Sequence, residues 1–155
     1  MSQHISTAGT EASGTSNMKF TMNGSLIIGT MDGANVEIAH EIGKENMFVF
    51  GADVHEVDRY RALDDQTRKG RLDGRLRGAF RAIYENKFGP LTDEIKGYIG
   101  RIESGNDYYC IGLDFPSYCD AQDRADRTYK NQAEWNRMAI TGVAKSGKFS
   151  SDRTI

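Results

Sequence analysis

The chain has 155 residues, of which 38% are hydrophobic and 27% charged, with a formal net charge of −2. That length suffices for one domain with a real core, and the composition suits a soluble globular protein. The charge balance excludes a global pull toward nucleic acid or anionic membrane, and no apolar run approaches the ~20 residues needed to span a bilayer.

Residues 2–15 are small and polar and read as loop. Met1-Ser2-Gln3-His4-Ile5 lacks a basic region followed by an apolar stretch, so no secretory signal is expected. The Asn23-Gly24-Ser25 sequon then has no route to glycosylation. Ser13, Thr15 and Ser16 are candidate N-caps for a helix over Asn17-Met18-Lys19-Phe20, which Asn23-Gly24 breaks. Ser25-Leu26-Ile27-Ile28-Gly29-Thr30 is apolar and β-branched, and predicts a buried parallel strand. Asp32-Gly33 predicts a turn, with a lesser chance of lining an active-site cleft. Residues 35–42 carry Val36, Ile38, Ala39 and Ile42 at helical spacing, and Gly43 is a natural stop. Met47-Phe48-Val49-Phe50-Gly51 predicts a second buried strand. Loop, helix, strand, helix, strand over the first 51 residues argues for a piece of an α/β layered domain.

After Gly51 the pattern becomes helical and charged. Helices are expected over residues 54–63 and over 68–84, the latter with Leu72, Leu76, Ala79, Phe80 and Ile83 on one face. A weaker helical pattern runs over 91–102, and a strand is expected around Tyr108-Tyr109-Cys110-Ile111. Residues 118–129 read as a polar helix. Residues 133–144 read as a helix burying Trp135, Met138, Ala139, Ile140 and Val143, and residues 146–155 as surface or extended chain.

Cys110 and Cys119 lie nine positions apart, which reads as free thiols in a reducing compartment in preference to a disulfide. The histidines are scattered and the cysteine spacing is not a zinc pattern, so no metal site is expected. Residues 59–87 hold nine basic and four acidic side chains. Solvated helix faces explain that excess better than a nucleic-acid patch, because no aromatic interleaving accompanies it.

The chemistry concentrates in Glu11-Ala12-Ser13-Gly14-Thr15-Ser16-Asn17-Met18-Lys19-Phe20. Gly9 and Gly14 have the spacing of a nucleotide-binding phosphate loop, but Thr15 stands where its lysine belongs, which removes that reading. Backbone N–H groups at a helix start, with hydroxyls beside them, still suit a phosphate. Lys19 is either a solvated surface lysine or a functional amine. Met18, Phe20 and Met22 favour a buried setting, where an amine loses its proton more readily and can form a Schiff base with an aldehyde cofactor.

The segment from Ser6 to Phe20 resembles the pyridoxal-phosphate attachment segment of the α-glucan (glycogen and starch) phosphorylases. The likeness continues through Gly29-Thr30-Met31-Asp32-Gly33-Ala34-Asn35-Val36-Glu37 and Glu45-Asn46-Met47-Phe48-Val49-Phe50-Gly51. It fades between about Arg59 and Tyr108. It returns at Tyr129-Lys130-Asn131, at Trp135-Asn136-Arg137-Met138 and in the last ten residues. The resemblance implies that Lys19 carries pyridoxal 5'-phosphate and that Thr15 and Ser16 contact its phosphate. It also implies that Glu11, Ala12, Ser13 and Gly14 bind the glucosyl unit. The family usually has glycine where this chain has Ser16.

The activity implied is transfer of a terminal α-1,4-linked glucose from glycogen or starch to inorganic phosphate, giving glucose 1-phosphate. In such enzymes the lysine anchors the cofactor and the cofactor phosphate relays a proton. The resemblance further implies a cytoplasmic, homodimeric parent with no nucleic-acid or membrane partner. The fold implied is α/β, an incomplete C-terminal Rossmann-like domain of a GT-B-type glycosyltransferase. Residues 1–51 would be its α/β core and residues 52–155 mainly helical wrap and tail. Such family members are several times longer than 155 residues, so the chain is expected to be a fragment, inactive alone. The alternative is a non-catalytic remnant or binding module.

Overall fold

A computed structural model describes residues 1–153. Two compact units divide the chain: Met1–Asp53 with the chain from Ser117 onward, and Val54–Pro116.

The first unit is built on a three-stranded parallel sheet in the order β1-β2-β3, with β1 at Ser2–His4, β2 at Ile27–Thr30 and β3 at Phe48–Phe50. Ser2 pairs with Ile27, Ile28 with Phe48, and Thr30 with Phe50. Helix α1 (Ser16–Met22) lies between β1 and β2 in the chain, and α2 (Ala34–Ile42) between β2 and β3. The strand period of two sends alternate residues of β2 to opposite faces. Ile27 joins Ile38, Ala39 and Ile42 of α2, with Met18 of α1 packed against them. Ile28, Phe48 and Phe50 meet Ala121, Ala125 and Met138 on the other face. Those three come from α7 (Ile111–Lys130) and α8 (Gln132–Lys145), so helices cover both faces of the sheet.

The strands over β2 and β3 and the helix ending at Gly43 lie where the apolar pattern placed them. In this unit three expectations differ. Ser2–His4 is a strand, not loop; its residues are polar, and backbone pairing to β2 orders them, with Ser2 N–H donating to Leu26 O at 2.8 Å. In α8, Ile140 is 68% exposed and Val143 half-exposed, while Met138 is buried and Trp135 and Ala139 pack beside it. The chain from 146 on forms two short 3-10 turns, Ser146–Phe149 and Ser151–Arg153, and the remainder of the expected extended segment lies outside the described residues.

The second unit is helical: α3 (Val54–Arg61), α4 (Asp65–Gly70), α5 (Gly74–Tyr84), α6 (Asp93–Ser104) and the first residues of α7. Leu72, Leu76, Phe80, Ile99 and Ile102 form its core. The helix expected over 68–84 is two helices, because Asp73 takes an extended conformation and caps α5 by accepting from Arg75 N–H at 2.7 Å. The strand expected around Tyr108–Ile111 is absent from the described residues. Cys110 N–H donates to Asp107 O at 3.1 Å, and Cys110 sits at φ 56°, so the chain turns there and α7 begins at once. Several arginines of the basic stretch hold backbone carbonyls: Arg68 donates to Gly105 O and Arg61 O, and Arg77 to Lys69 O. Both cysteines are free thiols, and burial raises the Cys110 pKa to about 11.

Candidate active site at the strand ends

The carboxyl ends of β1 and β2 point the same way, because the strands are parallel, and the loops that leave them meet there. In open α/β sheets this is the edge where ligands bind. The loop after β1 spans residues 5–15 and contains every site residue expected from the sequence except Ser16 and Lys19, which lie on α1.

Asp32, just past β2, organises that loop. The residue is 8% exposed. It accepts from Ser6 Oγ at 2.8 Å, from Glu11 N–H at 2.9 Å, from Gly9 N–H at 3.1 Å and from Thr10 N–H at 3.3 Å. Burial pushes its pKa up, but the hydrogen bonds from Glu11, Ser6, Gly9 and Gly33 outweigh burial and hold it below its ordinary value. A carboxyl lowered on folding stabilises the fold at pH above its unfolded value and loses that contribution as pH falls through the folded one. Asp32→Asn is therefore expected to flatten the acid limb of stability below about pH 4, measured by circular dichroism. An unchanged acid limb would show that the folded chain does not favour the ionised form.

A second network ties the loop to both helices. Buried Asn17 and Asn35 face each other, with Asn17 Nδ2 donating to Asn35 Oδ1 at 3.0 Å. Asn35 Nδ2 also donates to Thr30 O at 2.9 Å. Ala34 N–H, at the start of α2, donates to Ser13 O at 2.7 Å. Gly33, at φ 51°, leaves the space for this: a Cβ there would stand 2.6 Å from Ser13 O and 2.8 Å from Glu11 Cγ.

The result is a loop whose backbone is held from inside and whose residues 11–13, 15 and 16 face out, while Thr7 and Ala8 are buried. Glu11, Ala12, Ser13, Thr15 and Ser16 are exposed, and Gly14 is half-buried. Glu11 Oε1 accepts from Ser13 N–H at 3.2 Å. Thr15 is the N-cap of α1 but makes no side-chain capping bond, so the expected hydroxyl cap is not formed. Lys19 N–H donates to Thr15 O at 3.3 Å, which puts Thr15 and Ser16 one turn below Lys19 on the same side of the helix. The His4 ring lies beside this face, its Nδ1 at 3.5 Å from Ser16 Oγ and its centroid at 6.1 Å from that of Phe20. Burial lowers the His4 pKa. An open cleft of ≈ 220 Å³ runs between these parts, lined by His4, Glu11, Gly14, Ser16, Asp32 and Asn35 among others.

Two expectations change here. Lys19 is exposed, and so are Phe20 and Met22; only Met18 of the apolar neighbours packs inward, against the α2 side of the sheet. The buried setting expected for the lysine is not made by its own helix. Asp32 is more than a turn residue: it lines the cleft and gathers the loop. Asn17, Asn35 and His4 carried no sequence signal as site residues, although a buried asparagine beside a predicted turn is where such a signal would lie.

An exposed amine one turn above two hydroxyls suits a cofactor with an aldehyde and a phosphate. The residues present fit pyridoxal phosphate in that respect.

The family model described as carbohydrate phosphorylase matches residues 1–155. The chain is 51% identical to the alpha-glucan phosphorylase H isozyme of Vicia faba and 51% identical to alpha-glucan phosphorylase 2, cytosolic, of Arabidopsis thaliana. It is 50% identical to glycogen phosphorylase 2 of Dictyostelium discoideum. Each match covers the whole of this chain but only 15–19% of the relative's length.

Proposed function

This chain belongs to the carbohydrate phosphorylase family, and we propose that it is the cofactor-lysine portion of a protein that transfers terminal α-1,4-linked glucose from an α-glucan to inorganic phosphate. The observation that carries this reading is local. Lys19 stands one turn above the Thr15 and Ser16 hydroxyls, next to the outward-facing Glu11 loop, at the carboxyl ends of two parallel strands.

Lys19 anchors pyridoxal 5'-phosphate. The hydroxyls of Thr15 and Ser16 hold its phosphate. When bound, that phosphate supplies an anion able to pass a proton to and from the substrate phosphate. Glu11 accepts a hydrogen bond from a sugar hydroxyl, as an ionised carboxylate can only accept. Ala12, Ser13 and Gly14 border the same glucosyl unit, and Asn17 and Asn35 keep α1 and α2 in register behind them. The three-stranded sheet is part of a Rossmann-like sheet of a GT-B glycosyltransferase, and residues 1–155 are part of its cofactor-binding domain. The exposed Phe20 and Met22 flank Lys19 on a face covered in the full-length protein. The setting is cytoplasmic and the full-length protein a homodimer. No helix among the described residues is long and apolar enough to cross a membrane.

The test is chemical. Borohydride reduction of the full-length protein loaded with pyridoxal phosphate is expected to fix the label on the peptide carrying Lys19. Glucose 1-phosphate should appear from glycogen or starch plus phosphate with the full-length protein and not with the 155 residues alone. Label on another lysine would sink the cofactor assignment. Absence of glucose 1-phosphate from the full-length protein would favour a non-catalytic remnant.

A further inference from the structure

We infer that Asp32 is the positioning residue that sets where Glu11 meets the sugar, an inference that rests on the assignment of Glu11 to the glucosyl unit. Asp32 does not reach outward. It is almost fully buried, and its carboxylate is occupied by donors spread along residues 6–11. A carboxylate offers about four acceptor sites and no donor. The Ser6 hydroxyl and the N–H groups of Gly9, Thr10 and Glu11 therefore converge on one side chain, and the loop between them has one way to curl.

The last of these donors is the amide of Glu11 itself, at 2.9 Å. The backbone of Glu11 is thus tied to the end of β2, while its carboxylate remains at the surface, accepting from Ser13 N–H. Gly33 closes the other side. Any side chain there would stand within 2.8 Å of Glu11 Cγ. The bond from Ala34 N–H to Ser13 O pins the loop again two residues later. Glu11 is held between Asp32 and the first residues of α2, and α2 is itself packed on the sheet through Ile38, Ala39 and Ile42. Asp32 acts on Glu11 through this frame.

Asparagine at position 32 keeps the shape but replaces one carboxylate oxygen by an NH2 donor, which then faces an N–H donor of the loop. A displacement of about 1 Å at a substrate-binding group costs about 100-fold in rate. In the full-length protein, Asp32→Asn is expected to lower kcat/KM for the glucan by about 100-fold, with bound pyridoxal phosphate and its absorbance unchanged. In a Glu11→Ala background, which removes the acceptor, the same substitution should cost little more, because the group it positions is already gone. Gly33→Ala, which displaces Glu11 while leaving Asp32 intact, should give a similar loss with the same non-additivity. If Asp32→Asn does not fold, Ser6→Ala removes a single donor and should show a smaller fall that again vanishes in the Glu11→Ala background.

The outcomes separate. Glu11→Ala at full activity overturns the sugar-site reading on which this inference depends. A large effect of Glu11→Ala with multiplicative effects of Asp32→Asn overturns the inference alone. Loss of bound cofactor in Asp32→Asn also overturns it, because the role would then be structural support of the whole site.

Discussion

Lys19→Ala in the full-length protein is expected to abolish phosphorolysis, a fall of at least about a thousandfold, while changing stability by no more than about 0.5 kcal/mol. The two halves of this expectation come from different parts of the residue. Lys19 is exposed and its backbone carries its structural role: its N–H donates to Thr15 O, and its carbonyl accepts from Asn23 N–H and from Asn23 Nδ2 at 2.7 Å. Alanine keeps all three and is the best helix former. What alanine removes is the amine. Lys19→Arg separates charge from nucleophile, since a guanidinium stays protonated and does not condense with an aldehyde. It should be as inactive as Lys19→Ala. Glucose 1-phosphate release, cofactor absorbance and thermal melting measured on the same samples check this. Activity above about one tenth of the parent in either variant, or a melting loss that tracks the activity loss, would count against Lys19 as the anchor.

The parts of the fold legible in the sequence are those where burial and local pattern agree. Ile27, Ile28, Phe48 and Phe50 form runs that are apolar because both sheet faces are covered. Ser2–His4 gave no such signal, because a polar edge strand is ordered by backbone pairing alone. In α8 the apolar residues are not on one face. At 3.6 residues per turn, Ile140 lies about 200° around the helix from Met138, and it is Trp135, Met138, Ala139 and Gly142 that share the inner side. Tyr108-Tyr109-Cys110-Ile111 has strand composition, yet a left-handed Cys110 and the Asp107 carboxylate make it a helix start. The candidate site divides the same way. The hydroxyls and lysine of residues 11–19 announce themselves by type and order. Asp32 looks like a turn residue until the donors of residues 6–11 are seen to converge on it.

Asp107 should be the costliest polar residue to lose from the second unit. Asp107→Ala is expected to destabilise that unit by about 3 kcal/mol. The side chain is buried and accepts from Tyr60 Oη at 3.1 Å, from Ile111 N–H at 2.9 Å and from Gly112 N–H at 2.7 Å. The two amides belong to the first turn of α7, where no intrahelical acceptor exists and negative charge is favoured. Tyr60 is buried as well, and burial together with the Asp107 charge pushes its phenol pKa up, so it remains a donor throughout the working pH range. Alanine would leave a buried hydroxyl and two helix-start amides without their acceptor. Tyr60→Phe removes one of the three donors and should cost about 1 kcal/mol. Combined with Asp107→Ala it should add almost nothing, because the orphaned hydroxyl is then gone. A chain of two compact units need not unfold in one step, so the readout is local: hydrogen exchange at Ile111, Gly112 and the amides that follow should accelerate about 150-fold, the equivalent of that free-energy loss. Protection that stays within about tenfold of the parent would mean that water or a neighbouring group replaces the carboxylate, and that the turn at Cys110 is held by its backbone alone.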